Sequence, residues 1–399
     1  MDLRLTPSEA AFRDRLRSWL ADVLPALPAK PDRDDWPARR VYDTAWQRML
    51  FDAGYAGVDW PAAHGGLGAS PTEQLIFLEE TARARAPYVG ANFVGLLHAG
   101  PTLIVEGTEE QRAAHLPGIL RGEQVWCQGF SEPDAGSDLA SLRTTAVRDG
   151  DHYVVNGRKV WTSHAEVADY CELLVRTDPD APKHKGITWL ILPMDTPGVQ
   201  VRPLRTVVGS SEFSELVLDD VRIPVSARVG AENDGWRVAM VTFSFERGTA
   251  FISDVIESRN LLEETVAIAK KTPAPGGGTL WDDTALRREV GRLVAEVSGL
   301  WSLIRKNVSE ASAGMIPVQG ASVFKLRFTE SRQRIGDLAS HVLGRAALAM
   351  SDLPGGSGAH MVEDRVNTLS FTIAAGTSQI QKNILAERVL GLPKEPRWT

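Results

Sequence analysis

Tyr153-Val-Val-Asn-Gly-Arg-Lys-Val-Trp-Thr-Ser163 is the stretch on which the fold class turns. It is rich in β-branched and aromatic residues, as strands are. Asn156-Gly157 falls between two such runs and predicts a tight hairpin, with Asp149-Gly150 as a second turn. Similar runs lie on either side: Thr144–Val147, Cys171–Thr177, Gly186–Met194, Val199–Leu204 and Ser214–Asp220. Short strands punctuated by turns predict a small antiparallel β-barrel or sandwich over residues 124–230.

Outside that region the period changes to that of a helix. Phe12, Leu16, Trp19, Leu20 and Val23 recur three or four apart, the signature of one helix face. Thr6 and Glu9 are spaced as a capping box, with Pro7 at the first helical position. Further helices are predicted over Pro71–Ala84 and after Thr108, and a loop over Asp59–Ser70. On the C-terminal side, Asn233 or Asp234 caps a long helix reaching about Lys271. Pro273–Gly278 reads as a flexible connector. Helices follow over Asp282–Asn307, Ala321–Met350 and Ser378–Leu390, the last stopped by Gly391 and Pro393. The expected organisation is an N-terminal α-helical domain (1–123), a middle β domain (124–230) and a C-terminal α-helical bundle (231–399).

The bulk properties exclude several classes of function. The chain has 399 residues, 43% of them hydrophobic, and a net charge of −7 with both signs interspersed. No basic block marks a nucleic-acid surface. Two cysteines, Cys127 and Cys171, fit a reducing compartment and make no metal site. The N-terminal stretch lacks an apolar h-region, and Asp2, Glu9 and Asp14 argue against a transit peptide. No apolar run is long enough to span a bilayer. The expected location is cytoplasmic.

Four segments carry candidate chemistry. Gln128–Asp138 (QGFSEPDAGSD) reads as a tight turn, with Gly136 free to go left-handed; its amides and small side chains suit a polar ring or phosphate, while an ordinary loop is the commoner use of such a composition. Lys159–Ser163 ends a strand in an indole followed by two hydroxyls, which suits a flat cofactor or a core tryptophan. On the long helix Trp236, Met240, Phe243, Glu246 with Arg247, and Ala250 recur at helical spacing, so Glu246 lies on or beside the apolar stripe. A carboxylate in apolar surroundings is harder to ionise, which suits a general base for a weakly acidic C–H; a salt bridge with Arg247 is the alternative. Ala374–Gln381 (AAGTSQIQ) opens a helix through a capping box of Ser378 and Gln381; its amides would attract phosphate, and a well-capped helix without a ligand is the commoner reading.

In order and separation these segments resemble the acyl-CoA dehydrogenase family over nearly the whole chain. The matching stretches are 54–68, 107–123, 130–142, 153–163, 213–224, 230–248 and 376–392. The resemblance implies an α domain, a β domain and a C-terminal four-helix bundle, with FAD as cofactor. It implies that Phe130 and Ser131 meet the flavin pyrimidine edge. Trp161 and Ser163 would flank N5 with Thr162 between them, and Gly376, Thr377 and Gln379 would lie near the ribityl and pyrophosphate part. Ser137 and Arg247 would contact substrate. Many members carry their base just before the Gly-Thr of the C-terminal loop, where this chain has Ala375. A second group, similar to the isovaleryl-CoA and long-chain enzymes, carries it on the long helix before an arginine, where this chain has Glu246-Arg247. The implied reaction is α,β-desaturation of an acyl-CoA. Glu246 takes the α proton, the Ala375 amide helps polarise the thioester oxygen, and an electron-transfer flavoprotein reoxidises the flavin.

Two stretches depart from the family pattern, Lys270–Gly278 and His341 with Arg345. Both concern the adenine half of FAD across a subunit boundary. The chain is similar to bacterial members acting on bulky acyl-CoAs, including steroid side-chain thioesters, some built from two different subunits. A homo- or hetero-oligomer, dimer or tetramer, is therefore expected. A non-catalytic subunit, a flavin oxidase or monooxygenase on the same fold, and a carrier-protein thioester as substrate are the competing readings.

Overall fold

The computed structural model describes residues 4–249, 252–314, 320–351 and 358–394, with backbone only at 246–249 and 320. Its helices are α1 Pro7–Val23, α2 Trp36–Asp52, α3 Pro71–Arg83, α4 Gly100–Glu106, α5 Glu109–Leu120 and α6 Gly235–Thr249. They continue as α7 Ile252–Ala269, α8 Thr284–Ser312, α9 Gly320–Leu343, α10 Ala359–Phe371 and α11 Ser378–Ile384. The strands are β1 Trp126–Gly129, β2 Thr145–Asp149, β3 His152–Ser163, β4 Tyr170–Arg176, β5 Ile187–Pro193, β6 Val199–Leu204, β7 Phe213–Pro224 and β8 Arg228–Val229. The chain divides into two compact units. The first comprises 1–18, 71–84 and 250–399, and the second 19–70 and 85–249.

The first unit is a helical bundle. In α8 the residues Leu286, Val290, Leu293, Val297, Leu300 and Ile304 are buried, a stripe three or four apart that commits one face to a core. They share that core with Phe324, Phe328, Ile335, Leu338 and Val342 of α9. Burying each such side chain contributes about 1.5–3 kcal/mol, which holds these helices more firmly than their intrinsic propensity. α3 packs on α7 and α8, and α9 touches α7, α8, α10 and α11. The α1 start is as predicted: the Glu9 amide donates to Thr6 Oγ1 (3.3 Å) and the Thr6 amide to Glu9 Oε2 (2.7 Å). α10 was not foreseen, because it buries only Met361, Val362 and Thr368 and so leaves a faint stripe. The Pro273–Gly278 segment, read as a connector, has a defined path. It closes as a turn, the Ala274 amide donating to the Gly278 carbonyl (3.1 Å) and the Leu280 amide to that of Thr272 (2.9 Å).

The second unit is built on one eight-stranded sheet of order β6-β7-β3-β2-β4-β5-β8, with β1 beside β4. The sheet is mixed, not wholly antiparallel as predicted, because β1 and β2 both run parallel to β4. They occupy one edge of β4 in succession: β1 faces Tyr170–Leu173, and Thr145 of β2 faces Arg176. The intervening 130–144 segment is thus an excursion between two strands on the same edge, and that topology fixes where the loop emerges.

The hairpin assignment also changes. The β2–β3 turn is Gly150-Asp151, with Asp149 opposite His152. Asn156-Gly157 lies inside β3 at a register irregularity, where a bulge re-aims the strand. A Cβ on Gly157 would sit 2.5 Å from Thr144 Oγ1, so glycine is there for close backbone approach. Asn156 Nδ2 donates to Asp220 Oδ1 (2.9 Å) and its Oδ1 accepts from the Asp220 amide (2.8 Å).

The predicted long helix is described in two pieces, α6 and α7, with Ala250 and Phe251 outside the described residues. α6 starts at Gly235, and Asn233 is used otherwise: its amide donates to Thr188 Oγ1 (2.9 Å) and its Oδ1 accepts from Thr177 (2.6 Å). α6 packs on β5 and α4. Its buried row is Gly235, Val238, Ala239 and Thr242, whereas Met240 is 40% exposed. The apolar stripe is therefore rotated from the predicted Trp236–Met240–Phe243 line.

Candidate functional site

The 130–144 excursion is braced from below by a buried ion pair that sequence reading missed. Lys159 of β3 is fully buried, and its Nζ donates to Glu132 Oε1 (2.8 Å) and to the Phe130 carbonyl (3.1 Å). Glu132 also accepts from the amides of Arg143 (2.7 Å) and Thr144 (2.8 Å). Burial alone would raise the Glu132 pKa, but the Lys159 ammonium and these hydrogen bonds outweigh it and hold the carboxyl below its ordinary range. Burial likewise lowers the Lys159 pKa, against the pull of Glu132. Alternation along β3 was a weak signal for this, since a lysine at an inward position implies a buried partner.

Above the pair, Glu132 and Ala135 exchange amide–carbonyl bonds of 3.0 Å each way, which closes the turn. Gly136, free to go left-handed, does not do so here. Ser137 is exposed, and Asp138 pairs with Lys183. Phe130 is buried and meets Phe243 of α6 edge-on at 5.8 Å. Ser131 is half-buried, and its carbonyl accepts from the Val160 amide (2.9 Å). The loop is thereby tied to β3.

β3 ends in strained backbone. Trp161 and His164 have φ of 62° and 57°, a conformation that costs a non-glycine residue about 1–2 kcal/mol and that concentrates at functional sites. Trp161 is 61% exposed although indoles are normally covered, and it touches Phe213 edge-on at 6.0 Å. Ser163 is half-buried, while Thr162 is fully buried opposite Ser214. The Thr162 side chain thus turns into the sheet, and only its backbone is available at this edge.

α6 is fixed to α4 by a buried hydrogen bond between the Thr102 and Thr242 hydroxyls (2.9 Å). Glu246 and Arg247 lie on its last turns; their side chains lie outside the described residues.

In the first unit, the segment joining α10 to α11 is also strained. Ala375 has φ 51° and Gly376 φ 86°. The α11 cap is Thr377, one residue earlier than predicted: its Oγ1 accepts from the Ile380 amide (3.2 Å). Gln381 therefore does not close a capping box with Ser378. Its Nε2 donates to the carbonyls of Ala375 (3.3 Å) and Gly376 (3.4 Å). Lys325 of α9 donates to the Gly376 carbonyl (2.6 Å). Ala375 and Gln379 are exposed, and Ser378 Oγ is buried without a hydrogen-bond partner. His341 and Arg345, the departures noted above, are both exposed.

Among the described residues no cluster of three or more His, Cys, Asp or Glu is gathered to hold a metal. Nor, among them, is any helix long and apolar enough to cross a membrane.

Three family models match in succession: the acyl-CoA dehydrogenase N-terminal domain over 6–123, its middle domain over 127–221 and its C-terminal domain over 233–390. The acyl-CoA dehydrogenase IpdE1 of Mycobacterium tuberculosis is 39% identical over 395 residues, covering 97% of this chain and 98% of the relative. A chain of the ChsE4-ChsE5 complex from Mycobacterium tuberculosis matches with TM-score 0.85 at 36% identity, covering 99% of this chain and 100% of that one. The Tcur3481-Tcur3483 steroid ACAD matches with TM-score 0.83 at 33% identity, over 99% and 100% of the two chains. With all three domains matched end to end and a relative aligned over almost its full length, this chain belongs to the acyl-CoA dehydrogenase family of oxidoreductases.

Proposed function

We propose that this chain binds FAD and desaturates a bulky, ring-bearing acyl-CoA between its α and β carbons. The observation that carries the cofactor assignment is the edge at Trp161–Ser163. An exposed indole and a hydroxyl two residues on are held in strained backbone, as stacking against and hydrogen-bonding to a flat polar ring require. Phe130 and Ser131 are assigned to the same cofactor, with Thr162 contributing through its backbone. Gly376, Thr377 and Gln379 are assigned to its ribityl and pyrophosphate part. Bound FAD supplies a hydride acceptor.

The remaining chemistry belongs to the chain. Glu246 removes the substrate α proton, and the Ala375 amide helps hold the thioester oxygen. Ser137 and Arg247 contact the thioester arm. An electron-transfer flavoprotein takes the electrons. The likeness to the Tcur3481-Tcur3483 steroid ACAD and to a chain of the ChsE4-ChsE5 complex supports a ring-bearing substrate and assembly with a second type of subunit. The domain limits 1–123, 124–230 and 231–399 belong to the same reading.

Anaerobic titration of the purified chain with straight, branched and steroid-like acyl-CoAs tests this. Bleaching of a yellow protein by a ring-bearing thioester is expected. A yellow protein inert to every thioester would refute the assignment.

A further inference from the structure

His164 has no part in the chemistry above, yet it is buried, 8% exposed, and stands directly after the Trp161–Ser163 edge. Its ring lies 4.7 Å from that of Trp36 of α2 and meets Phe93 edge-on at 5.8 Å. Its amide donates to the Glu212 carbonyl (2.9 Å), and its carbonyl accepts from the Val167 amide (3.1 Å). A bulky residue at φ 57° works against the intrinsic preference for glycine or asparagine there. Its ring must therefore offset that strain by packing.

We infer that His164 is a positioning residue: its ring, wedged between Trp36 and Phe93, anchors the strained segment that presents the Trp161 indole and the Ser163 hydroxyl. The inference rests on reading that edge as the flavin-facing one. The segment is tied upstream by the Val160 amide on the Ser131 carbonyl (2.9 Å) and within by the buried Thr162 opposite Ser214. Its downstream end is held by the His164 ring and backbone hydrogen bonds, and beyond them by Ala165 and Val167 in the core; the ring is the side-chain anchor at the strained residue itself.

The surroundings select the neutral ring. Burial, and then the charge of Arg39, push the imidazole pKa down to about 4. The Arg39 guanidinium lies over the Trp36 ring at 5.4 Å, and its charge also acts on the Glu212 carboxyl, whose own pKa is raised by burial. His164 Nδ1 has no hydrogen-bond partner, so the ring acts through packing. At neutral pH it is an uncharged wedge, and protonation would set a second cation beside Arg39.

The test compares FAD content, the visible flavin spectrum, kcat and KM in wild type, His164→Gly and His164→Phe. His164→Gly relieves the backbone strain and removes the wedge; His164→Phe restores an aromatic ring that cannot titrate. A misplacement of about 1 Å costs up to ~100-fold in rate. His164→Gly is therefore expected to bind FAD with a shifted band and a kcat at least about tenfold lower at similar KM. His164→Phe is expected to recover the wild-type band and most of kcat. A His164→Gly protein with wild-type spectrum and kcat overturns the inference, as does a folded His164→Phe protein that stays tenfold slow. A wild-type protein that remains colourless with FAD overturns the flavin reading itself and the inference with it.

Discussion

Replacing Lys159 with methionine removes the cation from the ion pair beneath the 130–144 loop. Lys159 Nζ is 2.8 Å from Glu132 Oε1 and 3.1 Å from the Phe130 carbonyl, with no exposure to solvent. Methionine nearly matches the lysine stem in volume, so the cavity cost is small. What remains is electrostatic. Breaking a buried pair by deleting one partner costs about 3–5 kcal/mol, because the other charge is left uncompensated. Here the Arg143 and Thr144 amides still bond Glu132, which places Lys159→Met near the low end, about 3 kcal/mol. The Phe130 carbonyl loses its donor as well, so FAD affinity should fall with stability. Urea unfolding followed by tryptophan fluorescence gives the magnitude. Glu132→Gln with Lys159→Met removes both charges and should recover at least half of the loss, since neither partner is then stranded. A single variant within 1 kcal/mol of wild type, or a double variant no better than the sum of the singles, would refute the account of the loop as braced by this pair.

Glu246→Gln should keep FAD and lose substrate-driven bleaching; near-wild-type turnover would remove Glu246 from the role of base. Asp254→Asn should stabilise the protein at pH 8. Burial, and then the charge of Glu257, push the Asp254 carboxyl up to about 7, above its unfolded value near 3.8. The folded state then favours the protonated form, and stability falls as pH rises from about 4 to 7 and is flat above. The asparagine variant should gain up to about 4 kcal/mol at pH 8 and lose that slope; unchanged pH–stability curves would contradict it. Gly157→Ala should cost about 1–3 kcal/mol by overpacking, because its Cβ would meet Thr144 at 2.5–2.7 Å; a thermal melt equal to wild type would show that β3 yields there.

Composition and periodicity alone set the class of each region and mark the segments that carry candidate chemistry. Periodicity separates helix from strand because burial of one face imposes a period of 3.6 or 2 on the apolar residues. That is why α1, α8 and most strands were legible, while α10, with its sparse buried face, was not. Local chemistry was read less well where two uses of one motif compete. Asn156-Gly157 serves a turn or a bulge equally well, and only the approach of Thr144 decides for the bulge. Thr377 and Ser378 are both competent caps, and the chain direction leaving the left-handed Ala375-Gly376 pair selects Thr377. The stripe on α6 was misplaced because β5 and α4, not the helix, choose which face is covered. The Lys159–Glu132 pair and the ring packing of His164 are contacts between residues 27 and 128 positions apart in the chain: Lys159 with Glu132, and His164 with Trp36. No local pattern encodes such contacts. They exist only once the sheet has brought its strands, and α2, to the same place.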